Sequence, residues 1–274
     1  AVGEPLAVGE PLTDDSVCEP VGDAASRQNL GACINSVHVE ALPRLSSGGH
    51  RLYFLRSGSP HNVGGAEGGE DIWYAERAEG GAWTVARKPG PPMNTQANNF
   101  VDAVLEEGKR LLVGNTYRPD GDQAPGFSVV RRTATGWSAP EALEIEDWYS
   151  HSRWVSASLS ADGEVLFFHA ERDDGRGGAA LYVSFLGADG TWSAPINLGG
   201  DVNTEADEIT PFLAADGETL YFSGDGRGGF GDQDVFVTRR LDESWQRWSE
   251  PEPVIVAADP PEPEEPRPVE RIVL

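Results

Sequence analysis

The segment GDGRGGFGDQD, residues 224–234, sets five glycines and three aspartates in eleven positions. Carboxylates at that density could ligate calcium, and a glycine backbone could cradle a phosphate. A calcium site needs about six to eight oxygens at defined places, and the D-x-D-x-D-G spacing of a helix-flanked calcium loop is absent. The ligands would be drawn from Asp225, Asp232 and Asp234. A phosphate cradle opens a helix, often with a lysine; this loop has no lysine and runs into DVFVTRR, a strand-like stretch. The reading that remains is a glycine-rich connection between two strands. In it Asp234, and Asp71 at the end of SGSPHNVGGAEGGED, start a strand and accept backbone N–H groups from the preceding turn. No cofactor is expected, with calcium as the alternative.

A second cluster is EDWYSHSRW, residues 146–154. Its Trp148, Tyr149, His151, Arg153 and Trp154 combine aromatic faces with an arginine, a set that could line a pocket for a sugar or a peptide. The other reading is that they fill a diverged junction. A glycosidase would need two carboxylates about 5 to 9.5 Å apart, and among 45 acidic residues none is singled out. The five histidines (His38, His50, His61, His151 and His169) show no H-x-x-x-H or H-x-H spacing, and no G-x-S-x-G is present. On these grounds the protein is expected not to be an enzyme.

The formal charge of −24 repels phosphate backbones and anionic lipid, so neither nucleic acid nor a membrane surface is an expected partner. Membrane insertion is not expected either, since no apolar run approaches the ~18 residues of a spanning helix. Cys18 and Cys33 stand outside any C-x-x-C spacing and read as one disulfide of an export compartment, against two unpaired thiols. The start Ala1-Val2-Gly3, without Met, fits a chain from which a signal peptide was removed, although a trimmed chain looks the same. The expected location is secreted, extracellular or periplasmic.

The elements that must position these residues repeat. Leu52, Leu111, Leu166 and Leu220 anchor LYF-like runs at spacings of 59, 55 and 54. Trp83, Trp137, Trp192 and Trp248 recur at 54, 55 and 56, three of them as W-S-x-P. Asn35, Asn94 and Asn203, each followed by Ser or Thr, lie 17 residues before their leucines. In the remaining copy that slot reads Tyr149-Ser150. Each unit reads as four strands, with Asp-Gly at 162–163 and 216–217 suited to a type I′ hairpin. Prolines mark the fourth strand as an edge. Four-stranded units of this length are blades, so the fold class is all-β, a β-propeller of four blades of four antiparallel strands with extended N- and C-terminal tails. An open sandwich is the alternative.

The succession P-x-x-x-x-DG-x-x-LYFS, G-G-F-G-x-x-D-V-F and W-S-x-P-x-N-L-G-x-x-V-N-T resembles the TolB-type propeller repeat of bacterial periplasmic and surface proteins. The resemblance covers about residues 29 to 258 and loosens where Gly126 and Ala180 stand in the place of Asp234. The expected function is that of a non-catalytic secreted propeller acting in protein interaction or structure; the alternatives are a carbohydrate- or peptide-binding propeller using the central channel and, more weakly, a glycoside-processing enzyme. Outside it lie residues 1–28, with the disulfide, and 259–274, rich in proline and acid and ending in the β-prone VERIVL. NLGACINS (29–36) matches NLGGDVNT (197–204), although the last repeat already owns its Trp248 strand. One outer strand is therefore in surplus. It could cap its own ring or pair with another copy by strand addition, so the expected partner is protein, other copies of this chain reached through the tails, in a filament or other assembly.

Overall fold

The computed structural model describes residues 16–18, 20, 29–118, 121–228, 231 and 233–254. It is a four-bladed β-propeller of antiparallel sheets. Blade 1 holds Val39–Leu45, Arg51–Ser57 and Asp71–Glu76; its outer position is taken by Trp83–Thr84 and by Arg87, which bridges Tyr74. Blade 2 holds Val101–Leu105, Arg110–Tyr117, Gln123–Arg131 and Glu141–Ala142. Blade 3 holds Ala157–Leu159, Val165–Ala170, Ala180–Phe185 and Ile196–Asn197. Blade 4 holds Glu208–Leu213, Thr219–Gly224, Asp234–Arg239 and Glu252–Pro253. Among the described residues no helix is long and apolar enough to cross a membrane.

The near-continuous apolar runs of the second strands have a simple cause: a blade between two neighbours is covered on both faces. Tyr53 packs with Leu111 in the seam between blades 1 and 2, while Leu52 and Phe54 turn the other way onto Leu30 and Ile34. Phe168 fills the seam of blades 2 and 3, and Phe167 that of blades 3 and 4. The four repeat tryptophans are buried, and each bridges the residue just after its blade's third strand, at Arg77, Arg132, Leu186 and Arg240. Blade 4 differs. Leu220 and Phe222 are buried against blade 3, whereas the opposite face leaves Phe212 54% and Val235 45% exposed. Among the described residues no apolar cluster joins that face to blade 1.

The surplus strand folds back on its own chain. Val17–Cys18 pairs with Trp83–Thr84 on the outside of blade 1, and Cys18 is bonded to Cys33. The disulfide thereby ties this edge strand to the linker whose Leu30 and Ile34 enter the blade 1 core. Residues 1–15 and 255–274, on which the expectations for both tails fall, lie outside the described residues.

Two local expectations need correcting. At the Asp-Gly hairpins only Gly163 and Gly217 have positive φ (77° and 70°), whereas a type I′ turn needs both central residues there. Gly163 N–H instead bonds Ser160 O and Ser160 N–H bonds Val165 O, a four-residue loop around a tight turn, and Ala214 to Thr219 repeats it. The side chain of Asp216 explains this choice: it accepts the N–H groups of Glu218 and Thr219 and the Thr219 hydroxyl, bonds that hold its carboxyl down at about 2.

The second correction concerns the aberrant repeat. Ser36, Thr95 and Thr204 each accept the N–H of the residue two further on. In the junction of blades 2 and 3, Ser152 does this for Trp154 at 3.0 Å, so His151-Ser152 and not Tyr149-Ser150 fills the linker slot. The slot moves by two residues: the first strands of blades 1, 2 and 4 each carry a one-residue bulge that blade 3 lacks, and the stretch from Ser152 to Ala157 is one residue shorter than that from Thr95 to Val101.

Candidate functional site at the channel mouth

The linkers and the glycine-rich loops meet on one face of the ring. Asn94 and Asn203 clamp the start of the preceding blade's third strand: each amide accepts the N–H and donates to the C=O of one residue, Ile72 or Leu181, at 2.8–3.0 Å. Asn203 adds a bond to Asn197, and Asn35 repeats it with Asn29. The loops close onto these linkers. A Cβ on Gly69 would overlap Ala97 O, and one on Gly177 would overlap Glu205 O, so the loop needs glycine for the approach itself.

Within that loop the carboxylates serve the backbone. Asp71 Oδ2 accepts Val63 N–H at 2.9 Å, Asp234 Oδ2 accepts Gly231 N–H at 3.2 Å, and Asp225 Oδ1 accepts Asp207 N–H at 3.0 Å. Asp232 lies outside the described residues. Among the described residues no group of three His, Cys, Asp or Glu side chains is placed to hold a metal ion.

The EDWYSHSRW segment separates into two parts. Trp148 turns into the seam of blades 2 and 3, its rings 5.3 Å from those of Phe127 and Phe168 and its Nε1–H on Pro125 O at 3.1 Å. Tyr149 lies against Arg172, whose guanidinium carbon is 4.0 Å from the ring centre. Buried Arg172 donates to Asp147 O and Tyr149 O, pinning the segment, and the repeat gave no sign of it. His151 Nε2 meets Asp173 at 2.8 Å on the surface. Arg153 and Trp154 face the other way, and Trp154 is 61% exposed.

Trp154 stands between two cavities that share it and Phe100. One, of about 490 Å³, is lined by Asn98, Asn115, Arg118, Gln123 and Arg153. Its amides are largely spent within the protein: Asn115 donates to Asn98 O and to Gln123 Oε1, and Gln123 donates to Asn99. The other, of about 450 Å³, opens into the channel between the innermost strands. Leu42 and Leu55 of blade 1 face Ile209 and Thr210 of blade 4 across it, with Phe100 and Val155 between and Glu70, Glu171 and Asp207 around the wall. Leu42 and Thr210 reach the cavity from the bulges, both at φ 50°.

The Trp154 main chain is held from below by His169. Its Nδ1 accepts Ser156 N–H and Ser156 Oγ, and its Nε2–H donates to Trp154 O at 3.1 Å. Burial pushes the imidazole down to about 4, so it stays neutral, as this bonding requires. With both nitrogens engaged and no carboxylate on the ring, His169 is a positioning residue for Trp154. Its neighbour across the seam, Asp102, is fully buried; Oδ1 accepts Ala157 N–H at 3.0 Å, Oδ2 meets no donor among the described residues, and burial raises the carboxyl to about 7.

Comparisons with known proteins agree on architecture. No family model and no curated protein matches the sequence. Solved structures similar in fold include TolB from Acinetobacter baumannii (11% identity, TM-score 0.45, spanning 74% of this chain and 41% of that one). A putative TolB from Agrobacterium tumefaciens is also similar (14%, 0.46, 81% and 63%). So is an α-L-arabinofuranosidase from Lactobacillus brevis (12%, 0.46, 84% and 76%). The chain thus spans less than two thirds of either TolB. The expectation that the protein is not an enzyme does not stand. A prolyl endopeptidase and a sialidase are similar in fold as well, so a propeller of this kind carries no exclusion of catalysis. What the sequence and structure together establish is a four-bladed β-propeller stapled by a disulfide, and TolB structures are among those it is similar to.

Proposed function

We propose that the protein is a binding propeller that takes an extended peptide segment of a partner across the channel mouth, with Trp154 between two subsites. The observation that carries this reading is the position of Trp154, more than half exposed and flanked by cavities of about 490 and 450 Å³. An aromatic side chain held proud of a surface by buried hydrogen bonds loses little entropy on contact and offers a large apolar face. A peptide is favoured over a glycan because the amide donors of Asn115 and Gln123, which would read sugar hydroxyls, are already bonded internally. Arg153 has no ion pair among the described residues and can meet a peptide carboxylate or carbonyl. The disulfide supports a secreted or periplasmic setting. The test is a peptide array followed by titration of tryptophan fluorescence. Trp154→Ala should weaken hits at least tenfold with an unchanged melting temperature; equal affinity of the variant refutes the reading.

A second reading, association between copies, is favoured by the uncovered face of blade 4 with Phe212 and Val235. The N-terminal strand supports it less, being paired in cis and tied by the disulfide. Light scattering of the full chain against Phe212→Glu decides it: a monomer in both removes the reading.

A further inference from the structure

Resting on the peptide reading, we infer that the channel-side cavity selects an organic cation, an alkylammonium or guanidinium carried on an extended chain. Three carboxylates, Glu70, Glu171 and Asp207, line a cavity whose other walls are Leu42, Leu55, Phe100, Val155 and Ile209. The side chains of Glu70 and Glu171 have no hydrogen bond or ion pair with the described residues, and Asp207 commits one oxygen, Oδ1, to Ala179 N–H. The one histidine in the wall, His169, is held neutral and offers no countercharge. Glu70 stands without a cation beside apolar walls, where a charge is costly to keep, and burial raises its carboxyl accordingly. A ligand cation relieves this cost.

The geometry also says what kind of cation fits. The carboxylates are spread around about 450 Å³, and among the described residues no three acidic, His or Cys groups converge as a metal ion needs. A methylene chain ending in an amine or guanidinium matches such a wall: its carbons lie along Leu42, Leu55 and Ile209 while its head reaches the carboxylates. Trp154, 61% exposed and lining the cavity, supplies an aromatic ring that favours the same charge. The formal charge of −24 raises the local concentration of cations outside.

The experiment is calorimetric titration of the full chain with three probes: a blocked lysine tripeptide, its Nε-acetylated form, and spermidine. The lysine peptide should bind at least tenfold more tightly than the acetylated one. That preference should fall to under threefold in Glu171→Gln, a near-isosteric change, and in Glu70→Gln. Spermidine binding as tightly as the peptide would identify a free polyamine as the source of the cation; weaker spermidine binding identifies a peptide side chain. Equal binding of the lysine and acetyl-lysine peptides, with Trp154 still required, overturns the cation inference and leaves the peptide reading standing. Binding of the lysine peptide that survives Trp154→Ala unchanged overturns the peptide reading while leaving a cation site.

Discussion

Asp102 and His169 make opposite demands on pH, and replacing one should uncover the other. Asp102 is an acid whose folded value, about 7, lies above the ordinary 3.8, so the folded state binds its proton more tightly. Stability from this group is fully present below about pH 4 and is lost as pH rises through 7, by about 4 kcal/mol. His169 is a base whose folded value, about 4, lies below 6.5. Its contribution is present above pH 6.5 and lost as pH falls toward 4, by about 3 kcal/mol. Between pH 4 and 6.5 the two slopes oppose, and the wild-type profile is flattened. Asp102→Asn keeps an oxygen for Ala157 N–H and places an uncharged amide where Oδ2 meets no donor. The variant should gain stability relative to wild type as pH rises from 4 to 8, by a total of about 4 kcal/mol. Its own profile should then fall steeply on acidification, driven by His169. Urea unfolding at pH 4.5, 5.5, 6.5 and 8 reads this as a difference profile, in which groups common to both proteins cancel. A difference that stays within about 0.5 kcal/mol across the range refutes the account of a buried, unpaired carboxyl.

Two further outcomes concern the scaffold. Asn203→Ala removes three side-chain bonds from a fully buried site and strands Leu181 N–H, so unfolding should be easier by about 2–4 kcal/mol, and amide exchange at Leu181 should accelerate. A shift under about 0.5 kcal/mol would mean the clamp is replaced by solvent. The pair Cys18→Ser with Cys33→Ser should cost roughly 3 kcal/mol and expose the Trp83 edge to exchange; a loss confined to residues before Leu30 would show that the staple holds the tail and not the blade.

Why one cluster of aromatics divides as it does could be seen only in three dimensions. Trp148 and Trp154 belong to the same nine-residue stretch and look alike there. Phe127 of blade 2 and Phe168 of blade 3 bury the first, while Ser152 and His169 hold the backbone that turns the second outward. The cavity carboxylates were equally invisible: Glu70, Glu171 and Asp207 come from three different linkers and loops, with no spacing among 45 acidic residues to mark them. Arg172 carries no mark in the sequence because it joins the carbonyls of Asp147 and Tyr149 to the carboxylates of Asp147 and Asp174, groups brought together by the fold and by no repeated spacing. The Tyr149-Ser150 slot shows the limit of counting from a leucine, since one lost bulge and a linker one residue shorter together move it by two.

The amino-acid order by itself determined the repeat: anchor leucines, tryptophans and asparagines recur because every blade must solve the same burial problem, and each strand's two covered faces demand an apolar run. It also determined the disulfide partners, since only two cysteines exist. Tertiary structure decided the rest. The surplus strand closes on blade 1 because the Trp83–Thr84 edge stands within reach of a tether at Cys33, a matter of distance and not of composition. The face of blade 4 stays uncovered because nothing described stacks on it, although its residues resemble those buried elsewhere. The candidate site arises where residues of all four blades converge, and convergence of residues far apart in the chain is a property of the assembled blades alone.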